Sequence, residues 1–224
     1  MARYLKPTAP IAAAALLPSD PGAALLLAQD LLGAPRMSNH NHGLWGYHGE
    51  TEGGDPLTIQ ATGIGGPSAA IVLRELSELG VRRAIRVGAC APAHTRLPVG
   101  EVIVVERALA GDGTSAALGA DGAVAADPAL TRELERAAGP DARTGTVASI
   151  DVLLDGPGEP AGALAADLES AALLALGDRV VLDVGSILAV GEEDRVTTRI
   201  GRVAAAALAS AQERSPRPGI VSRS

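Results

Sequence analysis

The stretch Ala61-Thr62-Gly63-Ile64-Gly65-Gly66-Pro67-Ser68 limits what this chain can fold into. Residues 57–61 before it alternate weakly and predict a strand, and residues 68–79 after it predict a helix. Between them lie three glycines in four residues, then a proline. Without a Cβ in the way, backbone N–H groups at such a turn can approach a ligand closely. The helix start adds unpaired N–H groups and the positive end of a dipole. The turn is therefore a candidate seat for an anion or a sugar, or else a solution to a packing problem.

The rest of the chain supplies the α/β frame that such a turn needs. Residues 11–17 form a short apolar run, as in a buried parallel strand. Ser19-Asp20-Pro21 follows, a cap and then a proline in the first helical turn, and predicts a helix over 21–32. Residues 38–49, rich in His and Gly, read as a loop or a strand edge. Strands are predicted at 84–88, 101–107, 146–150 and 180–188. The strand at 84–88 is expected to end in the turn Ala89-Cys90-Ala91-Pro92, and 110–126 and 155–160 to be loops. Asp127-Pro128 repeats the cap-and-proline signal and opens a helix to about 138. Helices are also predicted over 161–176, from its Ala and Leu content, and over 197–212. Alternating strands and helices imply one α/β domain over residues 1–214, a largely parallel sheet with helices on both faces, and a frayed tail at 215–224.

Composition narrows the ligands. The chain has 224 residues, 47% of them hydrophobic, yet it has no Phe, so the core must be built from Ala, Leu, Val and Ile. Only Tyr4, Trp45 and Tyr47 can stack on a ring. A net charge of −7 argues against nucleic-acid or anionic-membrane binding. The single cysteine, Cys90, rules out an intrachain disulfide and suits a reducing cytoplasm. The run at 11–17 is too short to span a bilayer and lacks a basic leader.

Several residues can carry chemistry. Arg86 interrupts the apolar run Ile85-Arg86-Val87-Gly88 just before its strand ends. Charged residues are rarely buried unpaired, and the carboxyl ends of parallel strands are where ligands bind. Arg86 is thus a clamp for phosphate or carboxylate, an internal ion pair with a glutamate, or an arginine on an edge strand facing water. Glu169 lies in Asp167-Leu168-Glu169-Ser170, read as helix interior. Acids two apart on a helix diverge, so one of them is expected to point inward, where it can accept hydrogen bonds from sugar hydroxyls; the alternative is a capping or solvent-facing pair. His40, His42, His48 and His94 have no acid pair at metal-ligand spacing and read as a polar loop, so no metal is expected. Cys90 lacks a nucleophile motif and is expected to fill space.

Four of these segments, Leu17-Pro18-Ser19-Asp20-Pro21, Thr62 to Ser68, Ile85-Arg86-Val87-Gly88 and Leu168-Glu169-Ser170-Ala171, stand in the order found in the nucleoside phosphorylase family. The chain resembles that family over roughly residues 16–208, and Thr62–Ser68 and Asp167–Ala171 look most like its uridine phosphorylase branch. The resemblance implies a three-layer α/β/α fold with a twisted mixed sheet, assembled as dimers or hexamers. It implies cleavage of a nucleoside by inorganic phosphate, the co-substrate, to ribose 1-phosphate and free base, with no resident cofactor. It places phosphate at Arg86, with Ser19, Ala89 and His42 at further phosphate-site positions. It places ribose at Glu169, the Leu168 backbone and Ile64, and the base near Leu153. It assigns no catalytic acid. The chain also departs from the family. Ala23 and His42 occupy positions where phosphate arginines are expected, Ala89 replaces a Ser or Thr, and Ser186-Ile187-Leu188 offers no acid where purine enzymes carry a catalytic aspartate. Two lost arginines remove charge-assisted contacts worth about 1.5–3 kcal/mol each. The resemblance therefore leaves two functions open, a phosphorylase with altered phosphate and base recognition or a member that binds a nucleoside or other small ligand without turnover. A phosphate-independent nucleosidase fits less well, because the expected acidic pair is missing.

Overall fold

Strand residues of this chain divide by parity, and the division builds two apolar layers. Ala14, Leu16, Ile85, Val87, Val102 and Val104 face one way. Ala15, Leu17, Ala84, Ile103 and Val105 face the other. Successive side chains of a strand point to opposite faces, so both sides of the sheet are apolar and both must be covered. The computed structural model describes residues 2–93, 97–152, 162–191 and 193–212. In chain order the elements are β1 (Ala14–Leu17), α1 (Pro21–Leu31), β2 (Gly33–Asn39), β3 (Gly46–Glu50), β4 (Pro56–Gln60), α2 (Gly66–Glu78), β5 (Arg83–Pro92) and β6 (Val102–Gly111). Then come α3 (Gly113–Ala117), β7 (Ala123–Ala125), α4 (Pro128–Ala138), β8 (Arg143–Ile150), β9 (Ala165–Asp167), α5 (Ser170–Val180), β10 (Asp183–Val190) and α6 (Glu193–Gln212). Helices α1, α4 and α6 pack together on one face, and α2, α3 and α5 on the other. This is the expected three-layer α/β/α arrangement.

The centre of the sheet is parallel: β1 lies between β4 and β5, and β10 runs parallel to β5 over eight residue pairs. β3 and β2 extend it as an antiparallel edge. On the other side β10 pairs with β6, β6 with β8, β8 with β9, and β9 returns to β5. These five strands close into a ring, a feature the strand–helix alternation did not foretell.

Local signals set several boundaries. Asp20 accepts a hydrogen bond from the Ala23 amide (2.8 Å) to start α1, and Asp127 accepts from Ala129 and Leu130 (both 2.9 Å) to start α4. Three expectations need correction. Ala89 to Pro92 is not a turn, because β10 and β9 pair with it and β5 runs on to Pro92. The 110–126 loop contains α3 and β7. The helix expected over 161–176 starts only at Ser170; Ala165–Asp167 is a strand bridging β5 and β8, so pairing overrides Ala-rich helix propensity. Leu153, His94, the 155–160 loop and the 215–224 tail fall outside the described residues.

Candidate functional site

Arg86 shares parity with Ala84 and so points from β5 into the α2/α5 layer. It is only 2% exposed. Its Nε–H donates to Asp167 Oδ2 (3.4 Å), and its Nη2 is hydrogen-bonded to Glu169 Oε2. Of the readings open for Arg86, the internal ion pair is present, and it has two acid partners. The guanidinium folds back over Gly88: a Cβ there would lie 2.7 Å from Arg86 Cζ, so any larger residue would force the guanidinium to shift.

The acid pair corrects a further expectation. Asp167 and Glu169 do not diverge along a helix. Asp167 ends β9 and Glu169 stands at the N-cap position of α5 without a side-chain cap bond, so both carboxylates turn onto the same guanidinium. The missed signal was Asp167-x-x-Ser170, a cap spacing that marks a helix start rather than its interior. Asp167 Oδ2 indeed accepts from the Ser170 amide (3.0 Å) and hydroxyl (2.7 Å).

The glycine-rich turn closes the third side. Gly63 (φ 74°) and Gly65 (φ 85°) hold the left-handed conformations that bend the chain into α2. The Gly65 amide donates to Glu169 Oε1 (2.9 Å). The turn's backbone thus serves a carboxylate of the chain itself. The turn is fixed to the loop after β1, since Thr62 N donates to Pro18 O (2.9 Å) and Gly63 N to Ser19 O (3.0 Å). Arg86 is not at the end of β5, which runs on to Pro92, but it lies beside Leu17, the last residue of β1. Arg86, Glu169, Gly65 and Ser19 therefore gather where β1 and β4 lead to their following loops, the end of a parallel sheet at which ligands bind. One guanidinium faces two carboxylates there, so this buried cluster is formally anionic.

The remaining candidates lie around this centre. Leu168 is a half-buried bend between the two acids. Ile64 is at the tip of the turn and 79% exposed. Ala89 is half-buried on β5, beside Ala189 of β10. His42 is exposed in a short turn (Asn41–Gly43) at φ 56°, and its ring meets Tyr4 edge-on at 5.3 Å. That turn leads to Leu44, which packs against the Gly63 backbone. Ala23 is fully buried in the first turn of α1. Ser186 is also fully buried, its hydroxyl 2.9 Å from that of Ser170. The Cys90 thiol is pushed up to about 12 by burial and by nearby Asp167, against the opposing pull of Arg86, so it is a poor nucleophile. Among the described residues no group of three His, Cys, Asp or Glu is placed to hold a metal ion, and no helix is long and apolar enough to cross a membrane.

An arginine, an N-cap glutamate and a glycine turn thus converge on one side of a mixed α/β sheet. Comparison with known families is specific. The phosphorylase superfamily model matches residues 13–215, and the chain belongs to that superfamily. DeoD-type purine nucleoside phosphorylases are similar along most of the chain. The Clostridium novyi protein is 30% identical over 207 residues, covering 84% of this chain and 88% of that relative. The Geobacillus kaustophilus protein is 32% identical over 209 residues, covering 86% and 88%. A uridine phosphorylase of Haemophilus influenzae is 33% identical over 101 residues, 45% of this chain and 39% of that relative.

Proposed function

We propose that this protein is a nucleoside phosphorylase, cleaving the N-glycosidic bond of a nucleoside with inorganic phosphate to give ribose 1-phosphate and the free base. The observation that carries this reading is the contact between Arg86 and Glu169. It sets an anion-binding cation and a hydroxyl-accepting carboxylate side by side, as a reaction between phosphate and the sugar's anomeric carbon requires. Ribose hydroxyls donate to Glu169, which releases the Nη edge of Arg86 to bind phosphate. A phosphate oxygen forms its bond to C1′ as the C1′–N bond breaks; the bonding pair leaves with the base, which takes up from water the equivalent of the proton that the phosphate gives up. Positive charge builds on the ribose ring, and the phosphate held against it stabilises that charge.

The relatives that match along the chain's length are named for purine nucleosides, which puts inosine and guanosine first among substrates and uridine next. Ser186 brings a neutral hydroxyl, already hydrogen-bonded to Ser170, to the region where the resemblance expects a purine-protonating acid. Proton delivery to the base from that strand is therefore not part of the mechanism. The proposal includes a cytoplasmic homo-oligomer, dimer or hexamer, without a resident cofactor. Ile64 (79% exposed), Ile71 (41%) and Tyr4 (39%) give it exposed apolar surface beside the turn, and light scattering measures its mass. Incubating the protein with a nucleoside panel and phosphate, with products separated by chromatography, tests the activity. Base release above the no-enzyme control is expected, with ribose 1-phosphate in equal amount.

A second reading has its own support. Arg86 is already neutralised by two acids, and Ala23 and His42 stand where the resemblance expects arginines. A nucleoside-binding protein without turnover has the same ribose contacts. Nucleoside binding that is indifferent to phosphate, with no base released, selects it.

A further inference from the structure

The two carboxylates on Arg86 are held in different ways. Glu169 is bonded to the Gly65 amide and to Arg86. Asp167 is fixed at both oxygens: Oδ1 accepts from the Ser149 hydroxyl (2.6 Å), and Oδ2 accepts from the Ser170 amide and hydroxyl and from Arg86 Nε–H. The serines are anchored in turn. Ser149 Oγ accepts from the Ala171 amide (2.8 Å), and the Ser170 and Ser186 hydroxyls are 2.9 Å apart. A carboxylate only accepts, so the Ser170 proton points to Asp167 and Ser186 must donate to Ser170. Every hydrogen in the network runs toward Asp167, from β8, α5, β10 and β5. Asp167, Ser149, Ser170 and Ser186 are all at most 2% exposed.

We propose that Asp167 is a positioning residue: it fixes the Nε edge of the Arg86 guanidinium, so that Glu169 can exchange its bond to Arg86 for a ribose hydroxyl while the Nη edge stays aimed at phosphate. The proposal rests on the functional reading above. Its physical basis is the length of an arginine side chain. Without Asp167, Glu169 and the Val87 carbonyl, which accepts from Nη1 (3.3 Å), would still hold the Nη edge, but the Nε edge would lose its carboxylate and the guanidinium could swing with Glu169 when a sugar arrives. Held at Nε by a carboxylate that β8 and α5 immobilise directly and β10 braces through Ser170, it keeps its plane, and a planar fork fixed in advance loses less freedom on binding an anion.

The test follows the Arg86 Nε–H resonance by NMR in wild type, Asp167→Asn and Ser149→Ala, without ligand and through a titration with inorganic phosphate. Asp167→Asn keeps the shape and removes the charge; Ser149→Ala removes one supporting donor and stays informative if the first variant does not fold. The expected result is Nε–H exchange faster by about tenfold in Asp167→Asn, with phosphate affinity weakened about tenfold. Ser149→Ala should move both in the same direction by less. In turnover, the phosphate KM should rise while the nucleoside KM moves less than about twofold. If the folded variants lose thermal stability but leave Nε–H exchange and phosphate affinity within about twofold of wild type, Asp167 only caps α5 and the proposal is overturned. If wild type releases no base, the functional reading fails separately, because the exchange and titration measurements need no turnover.

Discussion

At the inner wall of the site, Arg86, Asp167 and Glu169 are 2%, 2% and 3% exposed and bonded to one another. At the rim, Ile64 is 79% exposed, and His42, in an exposed turn, meets Tyr4 edge-on. The wall consists of charge whose cost of burial is offset by pairing; the rim consists of neutral groups and one histidine. Under the proposed function, Glu169 of the wall would meet ribose, and phosphate would be met by one arginine that two acids already share. Substitutions in the wall should disturb stability and ligand binding together, and those at the rim should touch stability little.

The largest effect is expected from Arg86→Ala. It strands two buried carboxylates, and breaking such a cluster costs about 3–5 kcal/mol. For a domain of this size that lowers the melting temperature by roughly 6–20 °C. Calorimetry checks it; a change under about 2 °C would mean that the wall is not a coupled charge cluster. Gly88→Ala comes next. The new methyl would overlap the guanidinium, and overpacking of this kind costs about 1–3 kcal/mol. Combining it with Arg86→Ala should largely erase that cost, which a double-mutant cycle measures.

A smaller effect concerns the arm that reaches the rim. Glu75 of α2 accepts from the Arg3 (2.7 Å), Tyr4 (3.0 Å) and Leu5 (2.7 Å) amides. Burial pushes its carboxyl up, but the Leu5, Arg3 and Tyr4 amides outweigh that and hold it below the usual glutamate range. The folded value lies below the unfolded one, so the arm's contribution is complete above about pH 4.3 and fades as pH falls through the lowered folded value. The Tyr4 and Leu5 amides should lose exchange protection in that acid window before the core does. In Glu75→Gln that pH dependence should vanish. The smallest effect is His42→Ala, expected to change stability by under about 0.5 kcal/mol, as exposed positions do. A larger loss in chemical denaturation would show that the rim is as tightly built as the wall.

Legibility in the sequence follows the same division between local and long-range physics. The turn Gly63–Pro67 and the caps Asp20 and Asp127 act within a few residues, so they could be read directly, and the elements they start stand where expected. An acidic partner for Arg86 was also legible; its expected place just before a strand end was not borne out, because β5 runs on past it to Pro92. The ring of five strands was not, because β9 is only three residues long and owes its existence to pairing with β5 and β8. Misreading Ala165–Asp167 as helix carried a further error with it. A period of 3.6 separates Asp167 from Glu169, whereas a strand end followed by a cap turns both onto Arg86. The network of Ser149, Ser170 and Ser186 left no mark in the sequence, since each serine is unremarkable until three separate elements bring them together.

The central claim is that Arg86 and Glu169 part to admit phosphate and ribose. A crystal structure with inorganic phosphate and a non-cleavable nucleoside analogue tests it most directly. The account predicts a phosphate oxygen about 2.7–2.9 Å from the Arg86 guanidinium and ribose hydroxyls on Glu169, with Asp167 still at Nε. An intact bond between Arg86 and Glu169, with the anion or the sugar seated elsewhere, would contradict it.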